Sequence, residues 1–415
     1  MASSIREPER RLPVNGDFDI TVVGGGIAGV SAAVAAARDG ASVCLIEKEN
    51  ALGGLATLAN IVVYLPLCDG LGRKVTGGLG EELLRLSVRE EPDRLPPGWR
   101  HGSRHKARRQ QRYRVLFNPA SLILALEELV LKNGITLMYD TRFCDVRLSR
   151  KRITHIIIEN KSGRSAIKTQ YAVDASGDAD VCAAAGEPTV SLDTNVTAAW
   201  YYTADGENLK LHSLSDPFNA NPESVPSRVR KTFAGDQAEG VTAMLISQRG
   251  MVRKHLRRLR KEQPDRAINP VCLPNFPSFR MTRRHKGVFE LTEAQDREFF
   301  EDTIGMIGHW RKKGPVFCLP FRSLTAVRTA NLLTAGRCIS VDNSACDITR
   351  VIPACAVSGQ AAGMAAALAL QSGRSLKNLD IPVLQKRLKE RKVIIDPRRL
   401  HHSVTEEDPE AGEAH

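Results

Sequence analysis

The sequence predicts an α/β fold in which a Rossmann-like domain is split by an inserted α+β domain. Three observations support this prediction. Residues 19–47 form a pattern of strand, glycine-rich turn, helix of small residues and second strand, which is a β-α-β unit. That pattern is lost over residues 186–316, and it returns after Pro320 with a strand and a long alanine-rich helix. The first and last parts of the chain therefore form one domain around the insertion.

Turn and cap signals place the elements of the first part. The helix of the β-α-β unit covers about residues 29–38 and stops at Gly40. Asn118 and Pro119 open a second helix, which Gly134 closes. Four strand-like runs follow, the last two joined by a hairpin turn, over residues 135–139, 143–148, 153–159 and 165–175.

These patterns divide the 415 residues into five segments. Residues 17–185 are predicted to form the first part of the nucleotide-binding domain, residues 186–316 a cap or substrate domain, and residues 317–400 the second part. The two ends, residues 1–16 and 401–415, are polar and aperiodic, and they are predicted to be disordered.

Composition favours a globular protein without a membrane partner. Apolar residues make up 42% of the chain and charged residues 26%, which are ordinary values. The longest apolar stretch, residues 354–370, contains Ser358 and Gln360 and is too short for a membrane span. The N-terminus carries charges but lacks the apolar segment of a secretory signal. A cytoplasmic location is therefore expected.

The nine cysteines are scattered and include no C-x-x-C pair. This spacing argues against an iron–sulfur cluster or a structural zinc site, and an odd count argues against a disulfide framework. Buried free thiols and no metal site are therefore expected.

The net charge of +12 is concentrated in two segments, residues 100–114 and 249–261. Each segment holds seven Lys or Arg residues and no acidic residue. Such segments can attract nucleic acid, an acidic partner or an anionic substrate. Tyr113 is the one aromatic residue inside either segment, whereas single-stranded nucleic acid is bound through several. A solvated loop and the outer face of a helix are favoured, and a nucleic-acid partner is disfavoured.

A dinucleotide-binding turn is predicted at the start of the first helix. The spacing Gly24-x-Gly26-x-x-Gly29 gives a tight turn, a close approach of the backbone to a pyrophosphate, and close packing of the helix on the strand. The N–H groups at the start of the helix favour an anion. Glu47 ends the second strand, where its carboxylate can accept hydrogen bonds from ribose hydroxyls and disfavours the 2′-phosphate of NADP.

The residues after Glu47 favour FAD over NAD. Residues 47–54, EKENALGG, resemble the E-K-x-x-x-x-G-G extension of flavoproteins of the glutathione reductase and fumarate reductase type. Residues 174–180, DASGDAD, are similar to their D-A-T-G-D segment, and residues 332–340, LLTAGRCIS, to their A-G-R-x-I-S strand. The predicted cofactor-binding residues are Gly24, Gly26, Ile27, Ala28, Gly29, Glu47, Lys48, Gly53, Gly54, Ala175, Gly177, Asp178, Gly336, Arg337, Gly359, Ala361 and Ala362.

Together these segments resemble a bacterial group of FAD-dependent oxidoreductases related to the fumarate reductase and succinate dehydrogenase flavoproteins. The resemblance runs from about residue 19 to residue 370. It implies a split nucleotide-binding domain, a cap over the isoalloxazine ring and a non-covalent FAD, because no His stands beside Gly53 and Gly54. It also implies a helix that starts near Gly359, points its N-terminus at the flavin and leaves room for the ring at Ala361 and Ala362.

The candidates for catalysis are arginines. Residues 280–284, RMTRR, place three guanidinium groups in five positions, and Arg350 lies just before the flavin-proximal helix. Arg283 and Arg284 are predicted to bind a substrate carboxylate or to donate a proton, and Arg350 to stabilise the reduced flavin or to hold an anionic substrate. The alternative for residues 280–284 is structural pairing between the two domains, and for Arg350 it is pairing with Asp347.

Two further residues, His309 and Cys355, carry side chains that can take part in acid–base or redox chemistry. His309 is a possible acid or base, although a packed histidine is the commoner outcome. Cys355 is expected to act as a small apolar residue.

The resemblance implies hydride transfer between flavin N5 and a small organic substrate, including one that carries a carboxylate. No second G-x-G-x-x-G is present for a tightly held NAD, so an external electron acceptor or donor is expected. A flavin-dependent monooxygenase is one alternative. The other is a non-catalytic flavin-binding redox or nucleic-acid partner that acts through the two basic segments.

Overall fold

The computed structural model describes residues 5, 9–100, 105–218, 220, 231–401 and 406–407. The helices in these residues are α1 (Ile27–Arg38), α2 (Leu55–Leu58), α3 (Leu79–Ser87), α4 (His105–Gln110), α5 (Pro119–Lys132), α6 (Asp180–Ala184), α7 (Ala238–Glu262), α8 (Asn343–Thr349), α9 (Ile352–Ser372) and α10 (Ile381–Glu390). The strands are β1 (Val14–Val23), β2 (Val43–Ile46), β3 (Val63–Tyr64), β4 (Val115–Leu116), β5 (Thr136–Met138), β6 (Arg142–Ser149), β7 (Arg152–Asn160), β8 (Gly163–Asp174), β9 (Thr189–Val190), β10 (Ala198–Asp205), β11 (Asn208–Ser215), β12 (Asn269–Cys272), β13 (Arg284–His285), β14 (Thr303–Gly308), β15 (Lys312–Lys313), β16 (Val316–Pro320), β17 (Leu332–Thr334) and β18 (Glu406–Glu407).

A seven-stranded sheet forms the centre of the molecule. Its parallel strands lie in the order β5-β2-β1-β8-β17, which corresponds to the first five strands of the Rossmann order 3-2-1-4-5-6. The amino-terminal half of β8 also pairs antiparallel with β7, and β7 with β6. Because β17 comes from the last part of the chain, the domain is split in sequence, and the predicted α/β class is confirmed.

The first β-α-β unit is held by close backbone packing. Gly24 has a φ of +102°, which a side chain rarely adopts, and it turns the chain from β1 into α1. A Cβ atom at Gly29 would collide with the carbonyl oxygen of Gly24. The small residues of the helix therefore let α1 lie directly on the carboxyl end of β1.

Helix α9 packs on the other side of α1 in the same manner. Cβ atoms at Gly359 and Gly363 would overlap the backbone carbonyl oxygens of Ala28 and Ala32. Helix α9 is long and apolar enough to cross a membrane by length and composition, and 89% of its most apolar window is buried inside the molecule. Burial of this kind is expected of the core helix of a globular domain.

The inserted region has its own small sheet, in the order β11-β10-β12. Helix α7 buries one side chain per turn, and two of these, Val252 and Leu256, pack on Ala199 and Tyr201 of this sheet. The basic residues 249–261 lie on this helix, and its exposed side carries their charges. This arrangement agrees with the expectation that the basic residues of 249–261 occupy the outer face of a helix.

The predicted boundary after residue 316 falls inside β16. That strand pairs antiparallel with β14, and the hairpin packs into the same apolar cluster as α9. The hairpin therefore lies with the nucleotide-binding core, before the predicted start of the second part.

Three further details differ from the sequence predictions. Residues 14–16 belong to the end that the sequence predicts to be disordered, but in the structure they begin β1. The preceding residue is also ordered, because the Ala166 N–H donates to the Pro13 carbonyl at 2.9 Å. Residues 406–407 of the other end pair with β15. Helix α9 begins at Ile352 rather than near Gly359, because Pro353 fits the first turn, where no N–H is needed. Residues 1–4, 6–8, 402–405 and 408–415 of these ends lie outside the described residues, as do residues 101–104 of the first basic segment.

Candidate functional site

An elongated cleft runs along the carboxyl ends of the parallel strands, where ligands bind in open α/β sheets. The residues that follow β2, β1, β8 and β17 all line it. Three strand spacings of about 4.8 Å place its two ends roughly 14 Å apart. Among the predicted cofactor residues, those that line the cleft are Gly24, Gly26, Ile27, Ala28, Glu47, Lys48, Gly53, Gly54, Ala175, Gly177, Gly336 and Arg337.

The start of α1 lies in the middle of the cleft, where its first N–H groups could bind an anion. A Cβ atom at Gly26 would meet no atom within 4 Å, so this glycine leaves open space beside the backbone. Gly26 is the N-cap of α1, no side chain caps the helix, and its first turn holds no acidic residue. The first N–H groups of α1 are therefore available to a pyrophosphate.

Glu47 lies at the β2 end of the cleft. Its carboxylate accepts hydrogen bonds from the N–H groups of Gly25 at 2.6 Å and Glu49 at 2.9 Å. Burial raises the pKa of Glu47, and these backbone donors oppose the shift. Each oxygen keeps a lone pair, so the fixed carboxylate can accept a ribose hydroxyl.

The inserted region contributes to the wall near Glu47. Phe276 lines the cleft, and the Lys48 ammonium lies 5.1 Å from the centre of its ring. The cleft is therefore bounded by both parts of the molecule.

Asp178 supports the cleft without lining it. Its carboxylate pairs with Arg337 at 2.6 Å. Arg337 also donates to the carbonyl oxygens of Gly177 at 2.7 Å and Phe279 at 2.8 Å. This network fixes Arg337 at the cleft wall.

Arg283 and Arg284 do not line the cleft. Arg283 pairs with Asp180 at 2.6 Å and donates to the Asp178 carbonyl at 2.9 Å. Arg284 donates to the Val341 carbonyl and approaches Glu290 at 3.4 Å. Both side chains hold the inserted region against the nucleotide-binding core, which is the structural alternative to the predicted catalytic role.

Asp180 itself lines the cleft. Burial and the neighbouring carboxylates of Asp178 and Asp174 raise the pKa of Asp180 to about 6.

Besides Asp178, four predicted cofactor residues lie outside the cleft lining, namely Gly29, Gly359, Ala361 and Ala362. Gly29 packs on Gly24, and Gly359 packs on α1. Ala361 and Ala362 are completely buried. Because α9 begins seven residues earlier than expected, its first turn reaches the cleft and these later residues lie in the core.

The start of α9 forms the β17 end of the cleft. Arg350, Ile352 and Cys355 line it there. The Arg350 guanidinium pairs with Asp347 at 2.5 Å, so Arg350 has both the expected position and the alternative partner. The Cys355 thiol donates to the Arg350 carbonyl at 3.3 Å, and burial raises its pKa to about 12. The thiol is therefore protonated at neutral pH and packs as a small residue.

His309 lies outside the cleft lining and is buried. Its Nδ1 accepts the N–H groups of Arg311 at 3.0 Å and Lys312 at 3.2 Å. Burial, reinforced by the charge of Lys312, lowers the pKa of His309 to about 4. His309 is therefore neutral at pH 7 and packed in the interior, which is the commoner of the two outcomes considered for it above.

Sequence reasoning missed several residues of the cleft. Thr141, Arg142 and Phe143 follow β5 and line the cleft beside Glu47. A parallel pairing of β5 with β2 would have indicated them, because the carboxyl ends of both strands then lie at the same edge of the sheet. Phe276 carried no signal, because it reaches the cleft from a loop of the inserted region.

The described residues contain no group of three or more His, Cys, Asp or Glu side chains placed to hold a metal ion. All nine cysteines are free, and six of them are buried. The chemistry of the cleft is that of a dinucleotide site with glycine, helix-terminus and carboxylate contacts.

These features are those expected of a protein that binds a dinucleotide. A family model described as FAD dependent oxidoreductase matches residues 19–196 and 192–388. The chain belongs to this family, its cofactor is FAD, and it is an oxidoreductase.

Two curated proteins show local similarity. A thioredoxin reductase from Ureaplasma parvum is 34% identical over 71 residues, which cover 17% of this chain and 23% of that protein. A digeranylgeranylglycerophospholipid reductase from Methanoculleus marisnigri is 28% identical over 181 residues, which cover 41% of this chain and 38% of that protein. The chain thus spans less than two fifths of the length of either relative, and neither is named as a fumarate reductase.

Solved structures are similar over most of the chain at low identity. A geranylgeranyl bacteriochlorophyll reductase-like protein from Thermoplasma acidophilum aligns with a TM-score of 0.48 and 14% identity, covering 90% of this chain and 83% of that one. A p-nitrophenol 4-monooxygenase from Pseudomonas putida aligns with a TM-score of 0.45 and 11% identity, covering 91% and 85%.

Proposed function

We propose that the protein transfers a hydride between a small organic substrate and N5 of FAD, at the end of the cleft beside β17. The observation that supports this proposal most directly is the position of the α9 N-terminus. It lies in the cleft wall beside Arg350, separated by the width of the parallel sheet from Glu47. A dinucleotide held by Glu47 and the α1 N-terminus would then extend its second half toward α9.

The residues of this chain would favour the reduced cofactor. Bound FAD would supply the hydride chemistry, and its ring gains negative charge on reduction. The N-cap of α9 is Val351, no side chain caps the helix, and its first turn holds no acidic residue. The α9 N–H groups and the Arg350 guanidinium would therefore stabilise that charge.

Phe276, beside Lys48, would limit the access of water to the Glu47 end of the cleft. It comes from the inserted region, which is predicted to form the cap. The domain limits given above stay predictions, and so does non-covalent binding of the cofactor.

The electrons would leave or arrive through an external acceptor or donor, because the sequence contains one dinucleotide motif. A cytoplasmic location without a membrane partner is proposed from the composition of the chain and the burial of α9. The closer kinship with fumarate reductase flavoproteins stays a proposal based on the motifs at residues 174–180 and 332–340.

Anaerobic titration of the bound flavin with a panel of metabolites tests the function. A substrate is expected to bleach the visible absorbance of the flavin, or to reoxidise it after reduction with dithionite. Rapid NADPH oxidation without substrate would indicate a monooxygenase instead. A flavin unresponsive to every metabolite, together with salt-sensitive binding to nucleic acid, would support the non-catalytic alternative.

Arg350→Met tests the role of the flavin end. The variant is expected to retain FAD while its flavin reduction potential falls, because one positive charge near the ring is lost. Arg249→Met, on the exposed face of α7, removes the same charge away from the cleft and should leave the potential unchanged. Equal potentials in both variants would contradict the proposed orientation of the cofactor.

A further inference from the structure

Three arginines, Arg280, Arg311 and Arg350, lie around the carboxylate of Asp347, beside the start of α9. Asp347 accepts from Arg350 at 2.5 Å and from Arg311 at 2.9 Å. Although burial opposes ionisation, these two guanidinium groups hold the pKa of Asp347 well below its usual range. Arg280 approaches from the inserted region, where its Nη2 donates to Ser215 Oγ at 2.8 Å. Two of the three guanidinium groups therefore share Asp347, and the third, that of Arg280, lies near the carboxylates of Asp347 and Asp216.

Two of these cations share one aromatic ring. The guanidinium carbon of Arg280 lies 4.8 Å from the centre of the Phe218 ring, and that of Arg350 lies 5.7 Å from it. Their mutual repulsion is large enough to affect titration, because burial, followed by the charge of Arg350, lowers the pKa of Arg280 to about 9. Asp216 is the second carboxylate that acts on Arg280, and it offsets part of this effect.

The cluster also keeps unused hydrogen-bond donors. Nη1 of Arg280 and Nε of Arg350 are buried and have no hydrogen-bond partner among the residues that the structure describes. Leaving a buried polar group unpaired costs about 1–3 kcal/mol, and more for a charged group. An arrangement with two such donors and an excess of positive charge is consistent with a site for an anionic ligand.

Arg350 connects this cluster to the cleft. It lines the cleft together with Ile352 and Cys355, whereas Arg283 and Arg284 pair elsewhere. Arg280 and Phe218 do not line the cleft themselves. A group held between Arg350 and Arg280 would therefore reach the cleft at Arg350, at the end that the proposed function gives to the flavin ring.

We propose that Arg280 and Arg350, stacked on Phe218, bind the carboxylate of a small organic acid that is the substrate of this oxidoreductase. The proposal rests on the proposed function for the position of the flavin. Two unpaired donors on planar guanidinium groups match the two oxygens of one carboxylate. A phosphate dianion would present more oxygens than these two donors satisfy. Asp347 holds Arg350 in place, and Ser215 holds Arg280.

The test is a titration of the FAD-loaded protein with sodium acetate and sodium benzoate, at an ionic strength kept constant with NaCl. Carboxylates bound beside the ring are expected to perturb the visible absorbance of the flavin in a saturable manner. Arg280→Met should weaken the apparent affinity by about tenfold or more and leave the FAD content unchanged. Arg280→Lys keeps the charge without the planar pair of donors and should recover part of the affinity.

Arg253→Met, on the exposed face of α7, is the control that removes one positive charge outside the cluster. It should bind acetate and benzoate as the unchanged protein does. Inorganic phosphate at the same ionic strength should perturb the spectrum weakly, and a stronger response to phosphate than to acetate would overturn the carboxylate assignment.

Two outcomes would overturn the site itself. One is equal carboxylate affinity in Arg280→Met and the unchanged protein. The other, which needs no variant, is an FAD-loaded protein whose spectrum no carboxylate perturbs. If metabolites still bleach that flavin, the anion site is wrong and the proposed function stands. If carboxylates bind but no metabolite exchanges electrons with the flavin, the proposed function is wrong.

Discussion

The glycines of the first turn show how one residue type does two different kinds of work. Gly26 faces open space, whereas Gly29 has no room for a side chain. The G-x-G-x-x-G spacing in the sequence predicts the approach to a pyrophosphate for Gly26 and the close packing of the helix for Gly29.

Gly26→Ala is expected to reduce FAD affinity and spare the fold. Gly26 has a φ of −66°, which alanine adopts readily, and its new methyl group would occupy the space beside the backbone. We expect FAD affinity to fall by about tenfold or more and the free energy of unfolding without FAD to change by less than about 0.5 kcal/mol. Fluorescence titration with FAD and urea unfolding of the FAD-free protein measure the two quantities.

Gly29→Ala provides the opposite case. Its methyl group would collide with the Gly24 carbonyl, so we expect the FAD-free protein to lose about 1–3 kcal/mol of unfolding free energy. The interpretation fails if Gly26→Ala destabilises the FAD-free protein as much as Gly29→Ala does.

At the scale of elements, the pairing of α1 with α9 determines where the cleft lies. Both helices bring their N-termini to the cleft, and both are almost completely buried. Their contact depends on glycines in α9 that permit direct approach to the backbone of α1. The sequence predicts a flavin-proximal helix here, but it misplaces the start, because Ile352-Pro353 can open a helix as well as end a loop.

Gly363→Ala and Gly250→Ala make the same change in two helices with opposite expected signs. At Gly363 the methyl group would overlap the Ala32 carbonyl, and we expect a loss of about 1–3 kcal/mol in unfolding free energy. At Gly250 in α7 the methyl group would have an Arg253 nitrogen at 3.9 Å as its nearest neighbour, so we expect a gain of about 0.5–1 kcal/mol from helix propensity. Urea unfolding at saturating FAD measures both, and two changes of the same sign would contradict the packing of α9.

At the scale of the whole molecule, the nucleotide-binding half was far more predictable than the chemistry. The glycine turn and Glu47 follow from local patterns, because both lie within one short β-α-β unit. The roles of the arginines in residues 280–284 do not follow from local patterns, since the sequence RMTRR gives no information about which partner each of the three side chains contacts. Arg283 meets Asp180, about a hundred residues away, and Arg280 meets Ser215 and Phe218. Such contacts are decided by how the insertion folds back.

Stability is expected to fall as the solution becomes acidic. Burial lowers the pKa of His212 and of His309 to about 4 each, from an ordinary value near 6.5. Between these values the unfolded chain binds more protons than the folded one, so unfolding free energy rises with pH and is lost as pH falls from about 6.5 toward 4. Urea unfolding at pH 7.5 and 5.0, with FAD saturating, should show a loss of about 1–2 kcal/mol for each histidine.

His309→Asn tests one of the two contributions. Asparagine can still accept the Arg311 N–H, but it does not titrate, so the difference in unfolding free energy between the two pH values should shrink. Replacing the exposed His401 by Asn is the matched control and should leave the difference as it was. A pH difference in His309→Asn as large as in the unchanged protein would contradict the burial of a neutral His309.

The backbone contact between α1 and α9 also determines how the cofactor can leave. Two helices in van der Waals contact through glycine cannot separate gradually, because a small shift removes the close approach along their whole length. Amide hydrogens of α1 and α9 should therefore exchange with solvent together and slowly, as one cooperative unit. FAD that touches both N-termini would slow that exchange in both helices by the same factor, so that cofactor retention and core integrity are read from a single rate.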